Sequence, residues 1–298
     1  MEWLSCIRTA VAFMEEHLQD DISVQDVARE AAVSPMFLQR GFSVMTGCGI
    51  GEYLRNRRLY QASLDLLETD ERVIDIALRY GYETPESFTK AFSRFHGASP
   101  SQVRDGASPK TFLPLKIMVS IQGGNQMDYK ITPMFPFKLI GFQRVFDAET
   151  SYQEIPRFWD EFCEKYANNV YAGNDPKNPY EQAIVDNCIG EYGVCIDDLE
   201  GSKFRYLVAG KYTGGEVPKG MVVYEFPRGE WAVFSCVGPN PETLQSVNTR
   251  IFKEWLPGNP NYELFGNATV EWYDCTEDST SPDYRSAIWI PVKRREKN

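Results

Sequence analysis

The chain has 298 residues, 43% of them hydrophobic and 24% charged, which is the composition of a globular protein long enough for two domains with separate cores. Its net charge of −11 is unlike the basic balance usual for a DNA-binding protein, so contact with DNA would depend on where the positive charges lie. Apolar runs are shorter than a membrane-spanning helix needs, and the N-terminus lacks the pattern of a signal peptide. We therefore expect a cytoplasmic protein with no membrane partner.

Cysteine and histidine usage disfavours several kinds of site. The seven cysteines are scattered and contain no CxxC pair, which predicts reduced thiols. The chain has two histidines, His17 and His96, which is too few for a histidine-rich metal site and makes a Ser-His-Asp triad improbable. We expect no metal, no cofactor and no enzymatic activity.

The first motif lies within residues 23–47. Ser23 is placed to cap a short helix, Ser34 to cap a second one, and Pro35 takes the first helical position of the second helix. Gly47 marks its end. A short helix, a tight turn and a longer helix with a polar face form a helix-turn-helix pattern. The face expected to point outward carries Met36, Gln39, Arg40 and Ser43.

The same pattern recurs after a long predicted helix, IGEYLRNRRLYQASLDLLET. The arginines of that helix, Arg55, Arg57 and Arg58, are candidates either for phosphate contacts or for simple solvent exposure. Thr84 and Pro85 open the second motif's longer helix, and Gly97 is predicted to end it. Its expected outward face carries Glu86, Ser87, Lys90 and Arg94. Two such helices on one connector can enter successive major grooves, about 34 Å apart, without dimerisation.

The stretch IALRYGYETPESFTKAFSRFHGASPSQVR, preceded by DVAREAAVSPMFLQRGFSVMTG, resembles the AraC/XylS family of regulators over about residues 5–104. The resemblance implies an N-terminal DNA-binding domain, assigned to residues 1–106, with double-stranded DNA and RNA polymerase as partners. It implies base contacts from the outward faces of both longer helices, above all from Met36, Gln39, Arg40, Glu86 and Lys90.

Composition changes after this domain. Residues 107–127 are predicted to be a linker, with Leu113–Ile121 packing along one of the domains. Residues 128–296 contain two weakly similar blocks, each predicted as a hairpin, a helix and a second hairpin. We expect an α+β domain of two pseudo-twofold repeats with a cleft between the helices and the sheet.

Several phrases of this half, among them YLVAGKYTGGEVPKGM, YEFPRGEWAVFSCVGP and DYRSAIWIPVKR, resemble the GyrI-like, or multidrug-sensor, effector-binding domain. The resemblance implies a small-molecule effector, bulky, aromatic and often cationic, in an aromatic pocket with a buried acid. Ala287 stands where the family usually has a glutamate. Glu191, Glu225 and Glu271 are other strand acids that could face the cleft. Candidate ligand-binding residues, whose aromatic members could equally be ordinary core, are Glu191, Tyr192, Phe226, Trp255, Trp272, Tyr284, Ala287 and Trp289.

Together these features predict a sequence-specific transcription regulator, expected to be an activator, that responds to a small molecule. Two alternatives remain open for the C-terminal half. One is a hydrolase of electrophilic compounds that uses a glutamate and tyrosines, a chemistry that Ala287 disfavours. The other is a protein-docking module, which a filled cleft would favour.

Overall fold

The computed structural model describes residues 3–117, 127–148, 150–199 and 203–295, apart from the side chain of Tyr152. The N-terminal part is helical. In chain order its helices are α1 (Trp3–Glu16), α2 (Val24–Glu30), α3 (Pro35–Thr46), α4 (Ile50–Glu68), α5 (Val73–Arg79), α6 (Pro85–His96) and α7 (Pro100–Arg104).

Capping residues set the ends of α3 and α6, the two recognition helices of the tandem motif. Ser34 and Thr84 each accept a hydrogen bond from the backbone N–H three residues later. Each helix then ends on a left-handed glycine, Gly47 at φ +79° and Gly97 at φ +77°. The predicted start and end of both helices are therefore confirmed.

Two apolar clusters stabilise the helical part. The second helix-turn-helix unit packs around its own cluster, with Phe88 and Phe92 at its centre. The first unit has no separate cluster among the described residues, because Phe37 and Phe42 belong to the same cluster as Phe234 of the C-terminal domain. The first unit is therefore anchored on the C-terminal domain and the second is not.

The C-terminal part is an antiparallel sheet with helices, which agrees with the expected α+β class. Its strands are β1 (Tyr129–Met134), β2 (Phe137–Asp147), β3 (Tyr192–Ile196), β4 (Lys203–Lys211), β5 (Met221–Phe226), β6 (Gly229–Val237), β7 (Tyr262–Leu264), β8 (Ala268–Tyr273) and β9 (Arg285–Arg294). Its helices are α8 (Ser151–Phe162), α9 (Asn168–Tyr171), α10 (Pro179–Asn187), α11 (Glu242–Arg250) and α12 (Leu256–Gly258). Single π-helical turns, Cys163–Ala167 and Ile251–Trp255, join α8 to α9 and α11 to α12.

The strand order is β1-β6-β9-β8-β3-β4-β2-β5, with β7 beside β9. The leading strand pairs of the two blocks, predicted as hairpins, are not hairpins: β1 pairs with β6, and β5 pairs with β2. Short connections favoured the hairpin prediction, but β1 lies far from β2 in the sheet, and β5 lies far from β6. The closing pairs, β3 with β4 and β8 with β9, are adjacent as predicted.

The sheet has two different faces. Helices α8 and α11 pack on one face, here called the helix-covered face. The other face curves strongly: Phe226 of β5 and Trp231 of β6 lie at distant positions in the strand order, yet their ring centroids are 5.9 Å apart. This concave face encloses a separate apolar cluster.

The first part of the predicted linker runs along the helical domain. Phe112 lies 6.0 Å from the rings of both Tyr53 and Phe95, measured between centroids, and the Leu115 N–H donates to the Tyr53 hydroxyl. The rest of the predicted packing segment, from residue 118, lies outside the described residues. Within the described ranges, no helix combines the length and apolarity needed to cross a bilayer.

Candidate DNA interface and effector site

The outward face of α6 is available to a partner. Glu86, Ser87, Lys90 and Arg94 are all exposed, as the sequence predicted. The apolar residues of the same helix, Phe88 foremost, turn inward to the second cluster. Among the described residues, this face therefore has the exposure that a helix needs in order to enter a major groove.

The corresponding face of α3 is covered. Met36 is only 7% exposed, and Gln39, Arg40 and Ser43 are half-buried. The prediction of a solvent-facing surface is therefore wrong for Met36, and it holds only in part for Gln39, Arg40 and Ser43. The local pattern was read correctly, but the C-terminal domain packs on that face, and helical periodicity contains no information about such docking.

One contact on α3 is made by an acid of the C-terminal domain. The Met36 backbone N–H donates to the Asp197 carboxylate at 2.6 Å. Asp197 directly follows β3, and its burial raises the pKa of its carboxyl, an effect that the hydrogen bond from Met36 opposes. The acid therefore adds to the Ser34 cap by accepting from a second N–H of the first turn of α3.

A second contact joins Arg40 to Glu271 of β8, with 3.3 Å between the Arg40 Nη2 and the Glu271 Oε1 atoms. Both side chains are largely withdrawn from solvent, at 17% and 11% exposure. The other carboxylate oxygen of Glu271 accepts from the Tyr273 hydroxyl at 2.7 Å and lies 3.5 Å from the Tyr206 hydroxyl. The sequence left the direction of Glu271 open; the structure places it on the helix-covered face.

The tyrosines around Glu271 are held as neutral donors. Burial, and then the charge of Glu271, keep the pKa values of Tyr206 and Tyr273 well above their usual range. Trp159 of α8 donates its indole N–H to the Tyr206 oxygen at 2.9 Å. The cluster of Glu271, Tyr206, Tyr273 and Trp159, here called the carboxylate box, is therefore a buried acceptor for a cation, and Arg40 supplies that cation.

Close packing accompanies these polar contacts. A Cβ atom at Gly41 of α3 would lie 2.1 Å from a ring carbon of Trp3 and 2.8 Å from one of Phe252. The rings of Trp3 and Phe252 are themselves 5.6 Å apart. Glycine at this position lets α3 pack closely against both Trp3 of α1 and Phe252 of the C-terminal domain.

The arginines of α4 do not form one phosphate-binding row. Arg57 is 4% exposed and makes two hydrogen bonds with Glu15, at 2.8 and 2.7 Å, so neither phosphate contact nor simple solvent exposure describes it. Arg58 donates to the carbonyl oxygens of Leu18 and Asp20. Arg55 is exposed.

Most of the candidate ligand residues gather on the concave face. Tyr192 and Trp289 have ring centroids 5.7 Å apart, and Trp272 pairs with Ala287 across the strands. Phe226 belongs to the same apolar cluster. Glu191 joins them through its carboxylate, which lies 3.4 Å from the Trp272 indole nitrogen.

Two of the candidates lie elsewhere. Trp255 packs against Phe234 on the helix-covered face, with 4.9 Å between ring centroids. Tyr284 is buried in the turn before β9. Glu225, considered as a pocket acid, is exposed and paired with Lys138.

The centre of the concave face is filled. Val194, Leu207 and Val270 have no exposed surface, whereas the rings of Tyr192, Trp272 and Trp289 are half-buried. Any ligand of this face would therefore contact its aromatic rim. Glu271 is on the opposite face and engaged by Arg40, so it is not presented to a substrate as a free general base.

Sequence reasoning missed Asp197 altogether. An acid directly after a buried strand, as in YGVCID, was the available signal, but it did not indicate which element the acid would meet. The partnership of Arg40 with Glu271 links residues 231 positions apart, and one sequence contains no trace of it.

A tandem helix-turn-helix domain joined to an antiparallel sheet with an aromatic concave face defines a DNA-binding transcription regulator with an effector-binding domain. The chain belongs to the AraC/XylS family of regulators and has a GyrI-like effector-binding domain. Family models match it in both parts: a helix-turn-helix domain over residues 27–106 and an integron-associated effector binding protein over residues 130–292.

The chain is similar to individual proteins over one part or over its whole length. The HTH-type transcriptional activator AarP of Providencia stuartii is 37% identical over 100 residues, which are 34% of this chain and 74% of that protein. The right origin-binding protein of Escherichia coli K12 is 28% identical over 298 residues, covering 99% of this chain and 100% of that protein. An integron cassette protein from the mobile metagenome of Vibrio cholerae has a solved structure with 15% identity and a TM-score of 0.40, covering 55% of this chain and 95% of that one.

Proposed function

We propose that this regulator is a transcription activator whose action is controlled by a bulky aromatic, cationic small molecule bound to the C-terminal domain. Residues 1–106 form the DNA-binding domain, 107–127 the linker and 128–296 the effector domain of two pseudo-twofold halves. RNA polymerase is the partner on DNA, and the protein acts in the cytoplasm. The observation that carries the ligand proposal is the gathering of an aromatic rim and one carboxylate on the concave face.

The ligand is held at that rim. Tyr192, Trp272 and Trp289 offer half-buried ring faces, which attract cations, and Glu191 lies beside Trp272 with a carboxylate to balance the charge. Phe226 and Ala287 complete the floor. Because Ala287 replaces the usual acid, the site favours cations less strongly than a site with a glutamate there would.

DNA is read by the polar face of α3, after α3 has separated from the C-terminal domain, and by the exposed face of α6. The exposed face of α6 supports this directly through Lys90 and Arg94, whose charges suit phosphates and guanine edges. The Glu86 carboxylate can accept from a cytosine amino group, and the Ser87 hydroxyl can both donate to and accept from base edges. On α3 the proposed reading residues are Met36, Gln39, Arg40 and Ser43.

The ligand proposal is tested by calorimetry of the full chain with tetraphenylphosphonium and with neutral triphenylphosphine oxide. We expect binding of the cation, a loss of at least about tenfold in affinity with Glu191→Gln, and a gain with Ala287→Glu. Glu225→Gln, at an exposed acid of the same domain, is the matched control. If neither the native chain nor Ala287→Glu binds either compound, the result contradicts the ligand proposal and favours the protein-docking alternative.

The DNA proposal is tested by selecting duplexes from a random library with the full chain and measuring their binding by fluorescence anisotropy. Lys90→Ala and Arg94→Ala should each weaken binding by roughly tenfold, whereas Lys253→Ala, at an exposed lysine of the C-terminal domain, should not. Transcription in vitro with RNA polymerase on a promoter carrying the selected site then distinguishes activation from repression.

A further inference from the structure

The two recognition helices differ in one respect: α6 is exposed, and α3 is covered by carboxylates of the C-terminal domain. We propose that the C-terminal domain is an internal substitute for DNA, in which Asp197 and Glu271 occupy the positions on α3 that a phosphate and a base edge take in the bound state. Docking of α3 on its own chain and reading of DNA by α3 are then mutually exclusive. The proposal rests on the proposed function only in taking α3 as a DNA-reading helix.

The first DNA contact that a protein group replaces is at the N-terminus of α3. Pro35 has no N–H, the Phe37 N–H is taken by the Ser34 side chain, and the remaining first-turn N–H, that of Met36, donates to Asp197 at 2.6 Å. The N-terminus of a helix attracts anions, and in DNA complexes such N–H groups commonly bind phosphate. Asp197 therefore offers an anionic oxygen at a place where DNA offers one.

The second DNA contact that a protein group replaces is at Arg40. A guanidinium recognises paired acceptors, which on DNA are the O6 and N7 atoms of guanine. In the free chain its acceptor is the Glu271 carboxylate in the carboxylate box. Tyr273 and Tyr206 surround the far oxygen of Glu271, so the near oxygen is left facing Arg40.

Apolar contacts complete the covering of α3. Met36 is buried, and Gly41 brings the helix against Phe252. A duplex cannot reach this face unless the helix leaves the C-terminal domain. The free energy of that separation is subtracted from the binding free energy, so the native chain binds DNA more weakly than its reading surface allows.

Strand β8 connects the docking contacts of α3 with the proposed effector site. Trp272 lies on the aromatic rim, and its neighbours in the strand, Glu271 and Tyr273, point to the opposite face and belong to the carboxylate box. A ligand that displaces Trp272 acts on the same strand that holds Arg40. The effector thereby biases the docked and separated states differently, which is the requirement for allosteric control.

The test uses the full chain and its variants Glu271→Gln and Asp197→Ala, each measured by anisotropy on duplexes selected from a random library. Each variant should bind the selected duplex on the order of tenfold more tightly than the native chain, because docking is weakened while the reading residues are intact. Glu225→Gln is the matched control and should leave affinity unchanged. A gain in affinity cannot come from mere damage to the fold; if Glu271→Gln does not fold, Asp197→Ala decides.

Hydrogen exchange of the DNA-free chain gives a second readout. The Met36 amide should be protected in the native chain and should exchange at least about tenfold faster in both variants, with β3 and β4 amides unchanged. Folded variants with native affinity and native exchange at Met36 would overturn the inference. If no chain binds any duplex, the proposed function fails, and the exchange result alone decides whether the carboxylates hold α3.

Discussion

At the scale of single residues, one largely buried ion pair connects three segments of the helical domain. Arg57 has a 5% exposed side chain and reaches Glu15, which also accepts from the Tyr53 hydroxyl at 2.6 Å. The remaining guanidinium nitrogen donates to the Phe112 carbonyl oxygen at 2.6 Å. Arg57 therefore ties α1, α4 and the start of the linker together.

We expect Arg57→Met to destabilise the protein by about 3 kcal/mol, because it leaves the Glu15 carboxylate buried without its cation. Arg55→Met, on the exposed side of the same helix, should change stability by less than about 0.5 kcal/mol. Urea unfolding followed by circular dichroism measures both values. Equal effects of the two substitutions would show that Arg57 is not a structural residue.

The contrast between Arg57 and Arg40 shows what a single sequence can indicate about residues. Helical spacing placed Arg40 correctly on the polar face of α3, but its partner Glu271 belongs to another domain. Spacing could not decide whether Arg57 faces solvent, since an arginine buried with an acid from a distant helix has the same local pattern as an exposed one. The missing information is the tertiary contact in both cases.

At the scale of elements, the second helix-turn-helix unit depends on a neutral histidine at the end of α6. The Lys110 backbone N–H donates to the His96 Nδ1 atom at 3.1 Å, so the proton resides on Nε2, which lies 3.1 Å from the Leu59 carbonyl oxygen. His96 therefore joins α6, α4 and the linker. Protonation of Nδ1 would break the contact with Lys110, because the new Nδ1–H would face the Lys110 N–H and both groups are donors.

The stability of this unit should fall in mild acid. Burial lowers the pKa of His96 in the folded protein, so below the unfolded value of about 6.5 the unfolded chain binds the proton more strongly. The stabilisation is complete above that pH and is lost as the pH falls towards the folded pKa. Urea unfolding at pH 7.5 and pH 5.5 should show a larger loss for the native chain than for His96→Gln. Identical losses would contradict this role of His96.

Elements differed in how well the sequence predicted them. The ends of α3 and α6 followed from local signals, namely Ser34, Thr84 and the terminal glycines, because capping is decided within one turn of helix. The leading strand pairs of the C-terminal half were mispredicted, because partner choice in a sheet is non-local. Family resemblance suggested the rim residues Tyr192, Trp272 and Trp289 as candidates, but it equally suggested Trp255, which lies on the helix-covered face, because aromatic character alone does not reveal the face of the sheet.

At the scale of the whole molecule, the apolar cores do not coincide with the domains of the sequence. The first helix-turn-helix unit shares its core with the C-terminal sheet, and the second has a small core of its own. A unit with a small core opens at lower free energy than one joined to a large core.

Native-state hydrogen exchange in low denaturant should therefore show α6 opening first. Amides of α3 should exchange together with those of β3 and β8, at higher free energy than amides of α6 by at least about 1 kcal/mol. Exchange of α3 in one step with α6, and apart from the sheet, would be the opposite result. That outcome would mean that the shared core contributes nothing to cooperativity.

The double use proposed for Arg40, as a DNA-reading residue and as the partner of Glu271, has a consequence for how this regulator can change. On that proposal, a substitution of Arg40 that changes which base pair α3 prefers also removes the contact that holds α3 on Glu271. The DNA sequence preference of α3 and the DNA binding without effector therefore change together. A variant selected for a new promoter should need a second substitution, at Glu271 or Asp197, before its DNA binding in the absence of effector is again low.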